Sequence, residues 1–151
     1  MVEKTFKTEK GEIHYFISEV SQTSPWLVFL PGLTADHRLF EKQVEDFKDE
    51  YNLFVWDAPG HNLSRPFELS FSIADMAEWL YCILVQEGIH KPVIVGQSMG
   101  GYVAQALLER HPDFLSGFVS IDSAPLKRKY IKGWEIKALK HTKFIYISYP
   151  W

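Results

Sequence analysis

Apolar and polar positions alternate near the start of the chain. Ile13, Tyr15 and Ile17 interleave with Glu12, His14 and Ser18, the period of a strand with one solvated face. Lys10-Gly11 supplies a turn, so residues 4–20 read as a β-hairpin with His14 on its exposed side. The pattern then changes. Trp26–Leu30 is a continuous apolar run, as expected of a strand buried on both faces, and it ends in Pro31-Gly32-Leu33-Thr34. Phe40, Val44 and Phe47 follow at helical spacing, with Thr34 or Asp36 as the cap. A second buried run, Tyr51–Trp56, opens into the turn-rich loop Asp57–Ser64. Loops at the carboxyl ends of strands are where open α/β sheets bind ligands. Ser72-Ile-Ala-Asp75 has the form of a capping box with Asp in place of Glu. Behind it Ile73, Met76, Ala77, Leu80, Ile83 and Leu84 make a wide apolar helix face that Gly88 ends.

The stretch Val93–Gly101 combines three signals. Val93, Ile94 and Val95 read as a buried strand, Gly96-Gln97-Ser98-Met99-Gly100 is a G-x-S-x-G pattern, and a helix carrying Val103, Ala106 and Leu107 follows at once. Side chains at Gly96 or Gly100 would crowd a backbone that folds back sharply. The turn would expose the Ser98 hydroxyl, with the N-terminal N–H groups of the new helix aimed at negative charge developing there. The motif alone also fits trypsin-like and subtilisin-like serine proteases. The first are all-β and disulfide-linked, whereas here a helix follows and there is one cysteine; the second need Asp and His contexts that do not precede this serine. His111-Pro112 closes the helix, and Leu115–Ile121 adds a further strand before Asp122. Strands alternating with helices predict an α/β fold, a doubly wound and mostly parallel sheet.

Composition narrows the function classes. A chain of 151 residues with 46% apolar and 15% aromatic residues suffices for a globular core. The net charge of −3 gives no general attraction to nucleic acid. The lone Cys82 sits in an apolar helical stretch and is expected in the core, without a disulfide. No apolar run reaches 18 residues and no signal-peptide core opens the chain, so no membrane insertion and a cytoplasmic location are expected. The charge is unevenly spread. Residues 1–125 hold 9 Lys/Arg and 18 Asp/Glu, whereas 126–151 hold 7 and 1. This divides the chain into a core, 1–125, and a basic, aromatic tail, 126–151. Leu126, Tyr130 and Trp134, four apart, mark an amphipathic helix in the tail, read as a solvated face over an apolar site rather than as a membrane or nucleic-acid contact.

Three landmarks stand in one order: Phe29-Leu-Pro-Gly-Leu33, Asp57-Ala-Pro-Gly-His-Asn-Leu-Ser64 and Gly96-Gln-Ser-Met-Gly-Gly101. Together they resemble the α/β-hydrolase family, in its esterase- and lipase-like branch, over roughly residues 13–125. The resemblance implies Ser98 as nucleophile, the backbone N–H groups of Met99 and Leu33 as oxyanion-hole donors, Gln97 lining the elbow, and a lid beginning after Pro125 with Tyr130, Trp134 and Phe144 facing the pocket. It implies a carboxylic ester or related acyl substrate, and neither cofactor nor metal. Asn62 stands where relatives usually have Gly, a place where Asn tolerates the left-handed backbone. In the family the triad acid and histidine come from later strands, beyond Trp151, so the core is expected to stop after about six strands with the start of a helical lid. Asp122 is a candidate acid, and His141 the one histidine whose place leaves its role open; His14, His37, His61, His90 and His111 fall in other roles. A serine without a base is a weak nucleophile. A non-catalytic scaffold that binds ligand or oligomerises is the alternative. An unpaired last strand predicts self-association or pairing with a missing C-terminal half.

Overall fold

The structure, a computed structural model, describes residues 1–125. The segment 126–151 expected to begin a lid, with Tyr130, Trp134, His141 and Phe144, lies outside the described residues. The hairpin is β1 (Val2–Thr8) and β2 (Gly11–Ser18), two residues earlier at each end than the alternation predicted. The buried runs are β3 (Trp26–Leu30) and β4 (Asn52–Trp56), the elbow strand is β5 (Val93–Gln97), and the last strand is β6 (Gly117–Ile121). They form one six-stranded sheet in the order β1-β2-β4-β3-β5-β6. The hairpin strands pair antiparallel with each other and with β4; the β4–β3, β3–β5 and β5–β6 pairings are parallel. The sequence order β3, β4, β5 departs from the spatial order β4-β3-β5, so strand order reverses at β3. Ligands bind at such a switch point, off the carboxyl ends of the strands.

Side chains alternate across the central strands and sort the helices onto two faces. Val28, Leu30, Phe54, Trp56 and Ile94 point to the larger core, where α2 (Ile73–Gln86) and α3 (Met99–Arg110) contribute Met76, Leu80, Leu84, Val103 and Leu107. Phe29, Leu53 and Val55 point the other way, onto Phe40 and the partly buried Val44. Those two residues come from a 3-10 turn, His37–Phe40, and from α1 (Glu41–Phe47), so the sheet is doubly wound. Burying one large apolar side chain contributes about 1.5–3 kcal/mol. β3 and β4 have both faces covered, which is why they read as unbroken apolar runs rather than as alternation.

Local chemistry sets the ends of the helices. Ser72 and Asp75 form a reciprocal capping box on α2, and Asp36 rather than Thr34 caps the 3-10 turn. One expectation fails. Cys82 is exposed, not in the core. At 100° per residue its position on α2 falls with Asp75, Glu78 and Val85, away from the stripe that Met76, Leu80 and Ile83 bury. His14 is only partly exposed, because Glu3 of the neighbouring strand accepts from its ring at 2.8 Å. At one edge of the sheet β6 leaves Val119 and Ile121 exposed among the described residues.

Candidate active site

The elbow is strained at one residue. Ser98 has φ 49° and ψ −113°, a left-handed backbone rare for any residue but glycine. The surroundings hold it there. Its N–H donates to Ile121 O at 2.9 Å, and its carbonyl accepts from Gly101 N at 3.0 Å and from the Ser123 hydroxyl at 2.9 Å. The turn closes only because glycines flank it. A Cβ at Gly96 would lie 2.7 Å from Gly101 N, and one at Gly100 would overlap the carbonyl of Leu30 on β3. No hydrogen bond engages the Ser98 hydroxyl among the described residues.

The turn after β3 lies against this elbow. A Cβ on Gly32 would sit 3.1 Å from Ser98 Cβ and collide with the Gln97 side chain, which stands at the elbow as expected. Two amides adjoin this contact along the chain: Met99 N–H, first in α3 and next after Ser98, and Leu33 N–H, next after Gly32. Neither donates to another group among the described residues. Leu33 and Met99 also form part of the wall of a groove of about 1020 Å³, otherwise lined mostly by Pro59–His61, Arg65–Phe67, Leu69 and the first turn of α2.

The loop after β4 is held differently. Asp57 is fully buried. One of its oxygens accepts from His37 N–H at 2.9 Å and from the His37 ring Nδ1 at 2.8 Å. The other accepts from Asn62 Nδ2 at 2.9 Å and from Leu63 N–H at 3.2 Å. Asn62 does have positive φ, 38°, as its place in the turn requires, and its side chain also ties the loop to Asp57. That tie, and the His37–Asp57 pair, escape a reading of the sequence because their partners are set by folding; the Asp57 and Asn62 spacing inside one loop was the only local signal.

The remaining candidates are scattered. Asp122 is exposed, has φ 51° in the turn after β6, and makes no hydrogen bond among the described residues. His111, at the C-terminal end of α3, stacks on Tyr81 with ring centroids 3.7 Å apart, and His90 is exposed. His61 lines the groove with its Nδ1 against Pro59 O at 3.1 Å, which leaves Nε2 as an acceptor when the ring is neutral. Burial lowers the His61 pKa and favours that neutral form. Asp36, His37 and Asp57 bring possible metal-ligand atoms within 4.8 Å of one another, but Arg38, Asn62 and the backbone already occupy both carboxylates.

The family model described as the alpha/beta hydrolase fold matches residues 25–143, most of the chain and all three landmark turns. The chain belongs to that family. It is 41% identical over 81 residues to the 2-succinyl-6-hydroxy-2,4-cyclohexadiene-1-carboxylate synthase of Citrobacter koseri, covering 54% of this chain and 31% of the synthase. Among solved structures it is similar to a bacterial membrane phospholipase A, with a TM-score of 0.73 and 26% identity over 82% of this chain and 40% of that one. Est816, an N-acyl homoserine lactone degrading enzyme, matches with a TM-score of 0.77 and 20% identity over 95% of this chain and 54% of that one, a likeness of fold. The chain thus spans between about a third and about half of these relatives. Among the described residues no helix is long and apolar enough to cross a membrane.

Proposed function

We propose that this α/β hydrolase acts on a carboxylic ester or related acyl compound through an acyl-enzyme on Ser98. The observation that carries the reading is the strained Ser98 backbone beside two unengaged amides. The hydroxyl oxygen attacks the acyl carbonyl and loses its proton to a base, giving a tetrahedral oxyanion. Met99 N–H and Leu33 N–H stabilise that oxyanion, and losing one such donor typically costs about 10²–10³ in rate. Collapse expels the leaving group, and water then cleaves the acyl-enzyme. Asp122 stands at low rank as the acid, since nothing among the described residues links it to a histidine. The base comes from outside the described residues: from His141, a second copy, or further polypeptide of the length the relatives have. Incubation with p-nitrophenyl acetate should leave an acetyl group on the peptide that holds Ser98. Nitrophenolate release that is equally fast in the Ser98→Ala variant would refute the assignment.

A second reading has one observation in its favour, the Ser98 hydroxyl with no base beside it among the described residues. On that reading the chain is a non-catalytic module that binds ligand in the groove or oligomerises. The exposed β6 edge also supports a partner strand, either a second copy or a C-terminal half. A cytoplasmic location belongs to the same proposal. Light scattering that found only monomer at high concentration, with no gain on adding a C-terminal half, would remove the partner.

A further inference from the structure

The groove that Leu33 and Met99 help to line is mostly apolar, with Arg65, His61 and Ser72 as its polar side chains. Phe67, Leu69, Phe71 and Met76 supply much of its wall, and Phe67 and Phe71 are backed by Trp79, with ring centroids 5.5 and 5.6 Å away. No Asp or Glu lines it, and Arg65 is its only Lys or Arg among the described residues. The Arg65 guanidinium is tethered at one point, with Nε donating to Gly60 O at 2.6 Å. That leaves both terminal Nη groups without a protein partner there. The nearby carboxylates are spent elsewhere: Glu68 on Lys10 and Ser70, Asp75 on Ser72, and Asp57 on His37 and Asn62. His61, the other titratable side chain on the wall, is held toward its neutral form by burial. Among the described residues, then, an exposed cation tethered at the edge of an apolar groove has no carboxylate partner, which suits it to an anionic ligand.

We infer that the groove takes an amphipathic carboxylic acid, with its apolar body against Phe67, Phe71 and Met76 and its carboxylate on the Nη groups of Arg65. The two-oxygen plane of a carboxylate matches the planar guanidinium fork, which a neutral or cationic head group cannot do. Substrates of this site are then acyl compounds that keep a free carboxylate away from the reacting bond. This deepens the Ser98 reading and rests on it for the word substrate, whereas the binding preference itself does not depend on the serine.

The test is calorimetric binding of octanoate, octan-1-ol and octylamine to the full 151-residue chain and to its Ser98→Ala variant. Octanoate should bind about tenfold more tightly than octanol in both, with octylamine weakest, and the margin should shrink as salt is raised. Arg65→Gln should bring octanoate to within about twofold of octanol, whereas Arg65→Lys should keep part of the preference. Arg65 is exposed, so both variants should melt like the parent. Equal binding of acid and alcohol by the parent, no octanoate binding at millimolar concentration, or an unchanged preference in Arg65→Gln would each overturn the inference. Preference without acylation of Ser98 would instead leave the groove assignment standing and remove the catalytic one.

Discussion

Two neighbouring turns at the carboxyl edge of the sheet are built on opposite principles. The elbow after β5 is made of absences: glycines pack backbone on backbone, so Gly100 abuts Leu30, Gly96 abuts Gly101, and Ser98 is left in a strained conformation. The loop after β4 is made of bonds, since one buried carboxylate, Asp57, accepts four hydrogen bonds from residues 20 positions before it and 5 and 6 positions after it. The first turn leaves the Ser98 hydroxyl without a hydrogen bond among the described residues. The second saturates its polar groups and serves as an anchor for the groove wall at His61. The difference teaches where function lies in this edge. On the proposed reading a nucleophile must be held rigidly yet keep an unengaged hydroxyl, and main-chain packing together with the bonds on the Ser98 N–H and carbonyl does both.

The contrast can be broken most severely at Gly100. Gly100→Ala would drive a methyl into the Leu30 carbonyl, and overpacking of this kind typically costs about 1–3 kcal/mol, more where backbone must move. A broadened or absent cooperative thermal transition is expected; a parent-like melt would show that the elbow relaxes freely. Asp57→Ala comes next. It strands the His37, Asn62 and Leu63 donors, and at about 1.5–3 kcal/mol for bonds to a charged group it should lower Tm by roughly 3–12 °C. A shift under about 2 °C would deny the anchor. Ser98→Gly should go the other way, gaining about 1 kcal/mol as strain is released. A less stable glycine variant would mean that Ser98 is not strained.

The smallest effect concerns pH. Burial lowers the His61 pKa, so the folded state takes up that proton less readily than the unfolded state. Its stability contribution is full above the ordinary imidazole value of 6.5 and is lost as pH falls below it. The hydrogen-bonded carboxylates of Asp36, Glu68 and Asp75, whose values are lowered, act in a separate window, below their ordinary values of 3.8 and 4.5. His61→Gln should therefore flatten the fall in Tm between about pH 7 and 5.5 by a degree or two, with no change nearer pH 4. An identical pH profile would place His61 in solvent.

The same contrast explains what could be read in advance. The elbow, the capping box at Ser72 and Asp75, and the apolar runs of β3 and β4 are local patterns, each fixed by residues within a few positions. The doubly wound sheet followed from their alternation. The Asp57 network was not legible, because His37 stands 20 residues away and nothing local marks it as a partner. Nor was the Ser123 hydroxyl on the Ser98 carbonyl, 25 residues on. The apolar neighbours of Cys82 suggest the core, but helical phase sets it with Asp75 and Glu78 on the exposed side. Arg65 is not marked by any local pattern, because a single exposed arginine has meaning only once the groove around it is known.

The most direct test of the central claim is labelling of the 151-residue chain by a fluorophosphonate, read by intact mass and peptide mapping. Ser98→Ala is the control, with and without added imidazole. Labelling needs a base to take the Ser98 proton, supplied on the proposed reading from outside the described residues and supplemented here by imidazole. The account predicts one label, on Ser98 alone, absent from Ser98→Ala and faster when imidazole supplies a base. No label in a sample that melts cooperatively, or label spread over other residues and unchanged in the variant, would contradict it.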